Sequence, residues 1–541
     1  MRLDKNTALR LSEPVEDAYL ACLDRLVVNI AKHLGTGKAF RTAAWETMKL
    51  AEQGQLTEEN ARIINAETKK VPAEIRKAID EASALALESL EKAIQEAIAE
   101  GRLEQAPVDS VKDMLQELQQ QAVDSANLVN TVMLESGKSA YLAAIENTIM
   151  WQEQALNTEV AQAALNDAAS ATLIGSETRR QALQKAISQM ADSGIYGFVD
   201  RAGRHWSPEA YINMDIRTTV HNAAIQSIRN RQQDYNSDIF QVSTHPGARP
   251  LCFPYQGKFY TWGSDSGTFT DGDGARHSYR PVSTTSYGQA AGLFGINCGH
   301  VPYPQIPGVT IPRDDVEQSK EENDRAYRET QQQRALERSV RDAKRKAAAF
   351  EAAGLDDAFA QQAVVVKQRQ AQYDAFCKET GRKKRVDRTQ VAGYNRSVSG
   401  KVNAAARRAD KAKTVQKETA EKKKSEIREI IKSDTTPKKL NVGKQNEHIR
   451  ESKGYKEGKS YIYGDLNTAQ ELVDKYHGTG DIRLNKKSGK WEWNSKEFIT
   501  LPDDIGVYIN NHTGETFPTN TVSIHYSKRG THIVPARRND R

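Results

Sequence analysis

The sequence predicts a multidomain protein with a mainly α N-terminal half and linker, an α+β middle domain, and a small α+β domain at the C-terminal end. Three observations predict this. A chain of 541 residues exceeds what one hydrophobic core serves and suggests about three or four units. Leu, Val, Ile and Ala recur at steps of three and four through the first 200 residues, which is the helical period. Two later stretches break that period. Residues 206–308 are dense in Gly, Pro, aromatics, His and Cys, and the last hundred residues alternate apolar and polar in short runs. The expected boundaries are 1–200 (helical), 201–311 (α+β), 312–437 (charged helical linker) and 438–541 (small α+β).

Taken in order, residues 74–104 are strong helix formers that end at Gly101, and a longer pattern over 108–190 has Gly137 and Gly175 as expected breaks. Ser207 followed by Pro208 reads as a helix start. From there Tyr211, Met214, Thr218, His221, Ile225 and Ile228 form the stripe expected to face a core. Residues 312–437 read as solvated helix or a loose coiled coil, a tether with few large apolar residues. Over 382–440 there are 19 Lys and Arg against 7 Asp and Glu, an excess of +12 that would suit contact with nucleic acid. Pro437 closes that helix. In the last hundred residues the expected helix ends at Gly478, and the expected strands are KWEWN, FITL, IGVYIN, TVSIHYS and THIVP.

Composition excludes some classes. Only 38% of residues are hydrophobic and mean hydropathy is −0.70, so much of the chain must meet water. There is no apolar run of about 18 residues to span a membrane, and the N-terminal residues lack the apolar core of a secretion signal. Four scattered cysteines do not make a disulfide framework, which suits a reducing compartment. The net charge of +6 is small for this length. No G-x-S-x-G elbow supports a serine nucleophile.

Three strings in the middle, DIRTTVHNAA, HPGARPLCFPYQGK and GLFGINCGHVPYP, resemble the phage minor capsid protein family, relatives of the Mu F-like head morphogenesis proteins. The resemblance covers roughly the first 310 residues. It implies a protein made in the bacterial host cytoplasm, bound near the portal and major capsid proteins, and packaged in the phage head interior of the virion. In the same region His245, Cys252, Cys298 and His300 are candidate ligands for zinc, although H-x6-C and C-x-H are not the spacings of familiar zinc modules. Buried cysteine and a satisfied core histidine are the competing reading, and His221 belongs with the core.

Five of the eleven histidines, His448, His477, His512, His525 and His532, lie in the last fifth of the chain. If the turn within HYSKRGTHIVP is the two-residue loop Lys528-Arg529, His525 lies opposite His532. If Gly530 closes a three-residue loop, the two point to opposite faces. Glycine at the third loop position favours the second register, in which only one of the pair lines a site. The strings GKQNEHI, YHGTG and IHYSKRGTHIVP resemble the polymorphic toxin type 50 family, predicted ribonucleases with the barnase/EndoU/colicin/RelE type of fold. The resemblance implies RNA cleavage without metal or other cofactor: a base deprotonates the 2′-OH, the oxygen attacks phosphorus, and an acid protonates the leaving 5′ oxygen. Histidine titrates in the range this needs. Lys444 and His448 match the first motif, and His525, Lys528, Thr531 and His532 the last. His448 or His532 is expected as base or acid, Lys444, Lys528 and Thr531 as phosphate holders, His477 as the next candidate, and His512 as a bystander. A surface histidine with no role is the competing reading for each one alone.

Two function classes follow. One is a purely structural head protein active in assembly, DNA packaging or ejection, with phage DNA along the basic linker. The other adds an RNA-cleaving effector neutralised by a cognate immunity protein. A metal nuclease finds no carboxylate cluster, and activity in EDTA separates it from the metal-free reaction.

Overall fold

The computed structural model describes residues 5–35, 42–106, 109–157, 168–193, 198–199, 205–313, 319–483, 496–511 and 513–537. The chain divides into two compact units, Met1–Arg407 and Arg408–Arg541.

The first unit is built around α1 (Lys5–Gly35). Val15, Tyr19, Cys22, Leu23, Leu26, Val27, Ile30 and Leu34 recur along it at steps of three and four and are all buried. Burial of one such aliphatic side chain contributes about 1.5–3 kcal/mol, so packing rather than helix propensity holds this helix. Around it stand α2 (Thr42–Thr68), α3 (Val71–Ala99), α4 (Asp109–Leu156), α5 (Ala168–Ser193) and α6 (Pro208–Gln233), which share one apolar core. Neither expected glycine break occurs, since α4 runs through Gly137 and α5 through Gly175. At Gly137 a Cβ would stand 3.2 Å from Nδ2 of Asn60 on α2, so this glycine permits close helix packing.

A two-stranded ribbon, β1 (Phe198–Val199) with β2 (His205–Trp206), precedes α6. Pro208 is at the start of α6 as expected, but the Ser207 hydroxyl bonds Glu209 at 2.6 Å instead of capping a backbone N–H. The buried stripe of α6 is Ile212, Ile216, Val220, Ala223, Ala224, Ser227 and Ile228, while Tyr211, Met214 and Thr218 are half-buried. The shift has a packing cause. One side of α6 meets the helical core, and Ile225 on the other side meets a second cluster under a sheet. That sheet contains β3 (Ile239–Val242), β4 (Phe259–Thr261), β5 (Gly267–Thr270), β6 (Arg276–Pro281) and β7 (Pro302–Gln305), ordered β5-β6-β4-β3-β7. The stretch 201–311 thus has a small core of its own, with Phe240, Val242, Tyr260, Val282, Leu293 and Phe294 under the sheet, and also joins the helical core through α6.

Residues 312–437 depart furthest from the expected tether. α7 (Lys320–Ala352) and α8 (Asp356–Thr380) pack on each other and into the same core through Ala343, Ala347, Ala349, Phe350, Phe359, Ala363 and Val366. Alanines bring helix axes close with little apolar bulk, so a count of large apolar residues misses the interface. Charge reinforces it. Asp24 of α1, at 2% side-chain exposure, accepts from Arg345 Nε at 2.6 Å, and Arg388 reaches Glu13 at 2.6 Å and Glu16 at 2.9 Å. Only further along does the expected solvated helix appear: α9 (Arg396–Lys432) is exposed at every residue from 410 to 423. No helix among the described residues is long and apolar enough to cross a membrane.

The second unit has a separate core. After the last turns of α9 it comprises α10 (Val442–Asn446), β8 (Tyr461–Ile462), α11 (Leu466–Tyr476), β9 (Asp481–Arg483), β10 (Lys496–Thr500), β11 (Gly506–Ile509), β12 (Thr516–Thr519), β13 (Thr521–His525) and β14 (His532–Pro535). Two antiparallel sheets form, ordered β14-β13-β10-β9 and β12-β11-β8. In the four-stranded sheet, alternation sends Ile482, Ile499, Val522, Ile524 and Ile533 to the face that packs with Ala469 and Val473 of α11. Arg483, Lys496, His525 and His532 point to the opposite face. The expected strand KWEWN lies outside the described residues.

Candidate functional site

Ladder pairing builds the site. His525 on β13 lies directly between His532 on β14 and Lys496 on β10, and Arg483 on β9 continues the row. This is the two-residue-loop register, contrary to the expectation from Gly530. Gly530 does adopt a left-handed φ of 114°, but for another reason: a Cβ there would stand 2.7 Å from the Lys439 carbonyl. The chain then leaves β13, and Thr531 pairs with the incoming strand at Leu440. Both histidines consequently face the same side.

His448 arrives from the loop after α10 and lies nearly parallel to His532, with ring centroids 6.0 Å apart and planes at 18°. The His525 and His532 rings are 4.7 Å apart. Hydrogen bonding sets the tautomers. His448 Nδ1 is 2.7 Å from the Ser460 carbonyl, which can only accept, so the neutral ring keeps a lone pair on Nε2. Ser523 Oγ donates to the Val534 carbonyl at 3.2 Å and so accepts from His525 Nε2 at 2.9 Å. Nδ1 of His532 is buried with no hydrogen-bond partner among the described residues.

Burial, then the repulsion of His532, Lys496, His448 and Lys444, pushes His525 down to about 3. Burial, His448 and Lys444 push His532 down to about 4. His448 is also lowered, mainly by burial. At neutral pH the cluster holds neutral imidazoles beside lysine ammoniums. An anion docked among them would reverse the repulsion and favour protonated rings. On the rim, Glu447 bonds Lys456 at 2.6 Å and also Lys459, and the two hold its carboxyl down to about 2. The rings of Tyr455, Tyr461 and Tyr463 meet edge to face at 6.0 and 6.5 Å, and the Arg450 guanidinium lies 5.2 Å over Tyr461.

The other expected residues fall elsewhere. Thr531 is fully buried and donates its hydroxyl to the Pro437 carbonyl at 2.5 Å, so it braces the fold and does not join the histidine cluster. Lys528 is exposed at the tip of the turn. His477 caps α11 on the opposite side of the sheet, with Nδ1 2.8 Å from the Val473 carbonyl. There the buried carboxylate of Glu497 accepts the N–H groups of Gly478 (3.0 Å) and Gly480 (2.6 Å) and the Tyr526 hydroxyl (2.5 Å), which accounts for YHGTG as a structural turn. His512 lies outside the described residues. Lys496 and Arg483 had no marker in the sequence beyond their charge, because only the pairing of β10 with β13 and β9 brings them to the histidines. In the first unit, His245, Cys252, Cys298 and His300 converge on one cavity.

Comparison with known proteins matches the two units to different families. The family model for phage minor capsid protein 2 matches residues 3–378, and that for bacterial toxin 50 matches residues 440–535. A protein of Lactococcus phage LL-H described as "Structural protein" is 27% identical over 329 residues, covering 59% of this chain and 80% of the relative. The chain therefore belongs to the phage minor capsid protein 2 family and carries a bacterial toxin 50 domain at its C-terminal end.

Proposed function

We propose that this chain is a virion component, assembled in the host cytoplasm and held in the phage head beside the portal, whose second unit is an RNA-cleaving toxin of the barnase/EndoU/colicin/RelE type. The gathering of His448, His525 and His532 with Lys496 on one face of the sheet carries this reading, and the charge of Lys444 on α10 bears on His525 and His532. His448 Nε2 takes the proton of the RNA 2′-OH as that oxygen bonds to phosphorus. The bond from phosphorus to the 5′ oxygen breaks, and His532, protonated once the phosphodiester has docked, gives its proton to the leaving oxygen. The products are a 2′,3′-cyclic phosphate and a 5′-OH. Lys444 and Lys496 hold the charge that builds on the phosphoryl oxygens. His525 stands behind His532, positioned by Ser523. The tyrosine cluster with Arg450 offers unpaired bases a stacking surface, which favours single-stranded RNA. A basic face of this kind suits a small acidic immunity protein, and the exposed lysines of α9 suit packaged DNA.

The test is incubation of the full chain with total RNA in EDTA, with the new ends mapped. Cleavage to cyclic phosphate, lost in His448→Ala and His532→Ala, supports the reading. Intact RNA, or cleavage that needs a divalent metal, leaves a structural head protein.

A further inference from the structure

The first unit holds a second cluster of reactive side chains, remote in sequence from the toxin domain. Cys252 opens the short 3-10 turn Phe253–Tyr255, and Cys298 and His300 come from the loop that leads into β7. All three are buried, and their ligand atoms lie within 4.8 Å of one another. The two Sγ atoms are 4.0 Å apart, and Cys298 Sγ is 3.4 Å from His300 Nδ1. Both thiols are free. A tetrahedral zinc ion with Zn–S near 2.3 Å and Zn–N near 2.0 Å would separate two sulfurs by about 3.8 Å and sulfur from nitrogen by about 3.5 Å. The sulfur–sulfur distance and the Cys298–His300 distance already present are within a few tenths of an ångström of those values.

The surroundings prepare His300 as a ligand. Its Nε2 is 3.2 Å from Gln256 Oε1, an oxygen that also accepts the His245 backbone N–H at 2.8 Å. As an amide oxygen only accepts, His300 carries its proton on Nε2 and presents the Nδ1 lone pair to the thiols. His221 Nε2 donates to the His300 carbonyl at 2.7 Å and fixes that residue's backbone. Partners of this kind, which fix tautomer and orientation, characterise metal-bound histidines. A cavity of about 170 Å³ opens on the same three residues, and the His245 ring, 4.3 Å from that of His300, is the nearest further imidazole.

We propose that Cys252, Cys298 and His300 bind a zinc ion, with its fourth position turned to the cavity. Two thiolates and an imidazole select zinc over the oxygen-preferring magnesium and calcium. The site would tie the turn after β3 to the loop before β7, joining the two ends of the sheet-bearing segment.

The full chain, prepared with zinc and dialysed against metal-free buffer, should retain about one zinc per chain, and cobalt in its place should show a thiolate charge-transfer band. Cys252→Ser and Cys298→Ser should lower retained zinc by about tenfold or more, while Cys377→Ser, remote from the cluster, should retain it in full. Gln256→Ala leaves every ligand in place, so it separates lost ligation from misfolding. It should weaken zinc binding by about tenfold and melt with the wild type when both are stripped by chelator. The proposal is overturned if the wild-type chain holds no zinc after dialysis, if Cys298→Ser holds as much as wild type, or if bound cobalt lacks the thiolate band.

Discussion

Replacing His532 with glutamine should make the second unit more resistant to acid. The His532 imidazole sits at about 4 in the folded unit, against about 6.5 for an imidazole in an unfolded chain. Because the folded value is the lower, the unfolded chain takes up a proton that the folded one refuses. The stability is complete above about 6.5 and is lost as pH falls toward about 4. Between about pH 8 and about pH 5 this one group costs roughly 2 kcal/mol, and His525, held at about 3, costs a similar amount. His532→Gln removes its own share and relieves the repulsion felt by His525. Urea unfolding of residues 408–541, which have their own core, is the assay. With a dependence of about 1–3 kcal/mol per molar urea, the variant's midpoint should fall by roughly 1 M less than that of wild type over this pH interval. Parallel falls in the two proteins would refute the assigned burial and crowding of these rings.

If the second unit cleaves RNA as proposed, Lys496→Ala should reduce cleavage by about 10- to 1000-fold with little change in folding, because the proposed mechanism gives this exposed lysine the transition-state charge to hold; single-turnover kinetics on a short RNA would measure it. Gly530→Ala forces a side chain into a left-handed φ and against the Lys439 carbonyl, and should cost about 1–3 kcal/mol by urea unfolding. Glu497→Gln replaces one acceptor oxygen with a donor facing groups that themselves donate. It should cost about 2–3 kcal/mol, seen as faster hydrogen exchange at Gly478 and Gly480.

The helical first part, the strands of the last hundred residues and the histidine-bearing strings were legible because each is a local pattern. The period of α1, the alternation in β13 and β14, and the Ser207-Pro208 start need only neighbours within a few residues. The tether over 312–437 was misread for a related reason. The contribution of Ala347 or Ala363 depends on how closely another helix approaches, and the partners of Arg345 and Arg388 lie more than 300 residues earlier.

The sequence by itself determined which residue types were available: imidazoles and lysines near the end of the chain, and thiols with histidines in the middle. Tertiary structure alone decided which of them meet. The choice between two hairpin registers put His525 beside His532. A strand pairing across 29 residues added Lys496, and the burial of Thr531 withdrew it. Side chains one residue apart on a strand point to opposite faces, so a single step of register decides which of these groups meet, and that step is set by distant contacts such as the approach of Gly530 to Lys439.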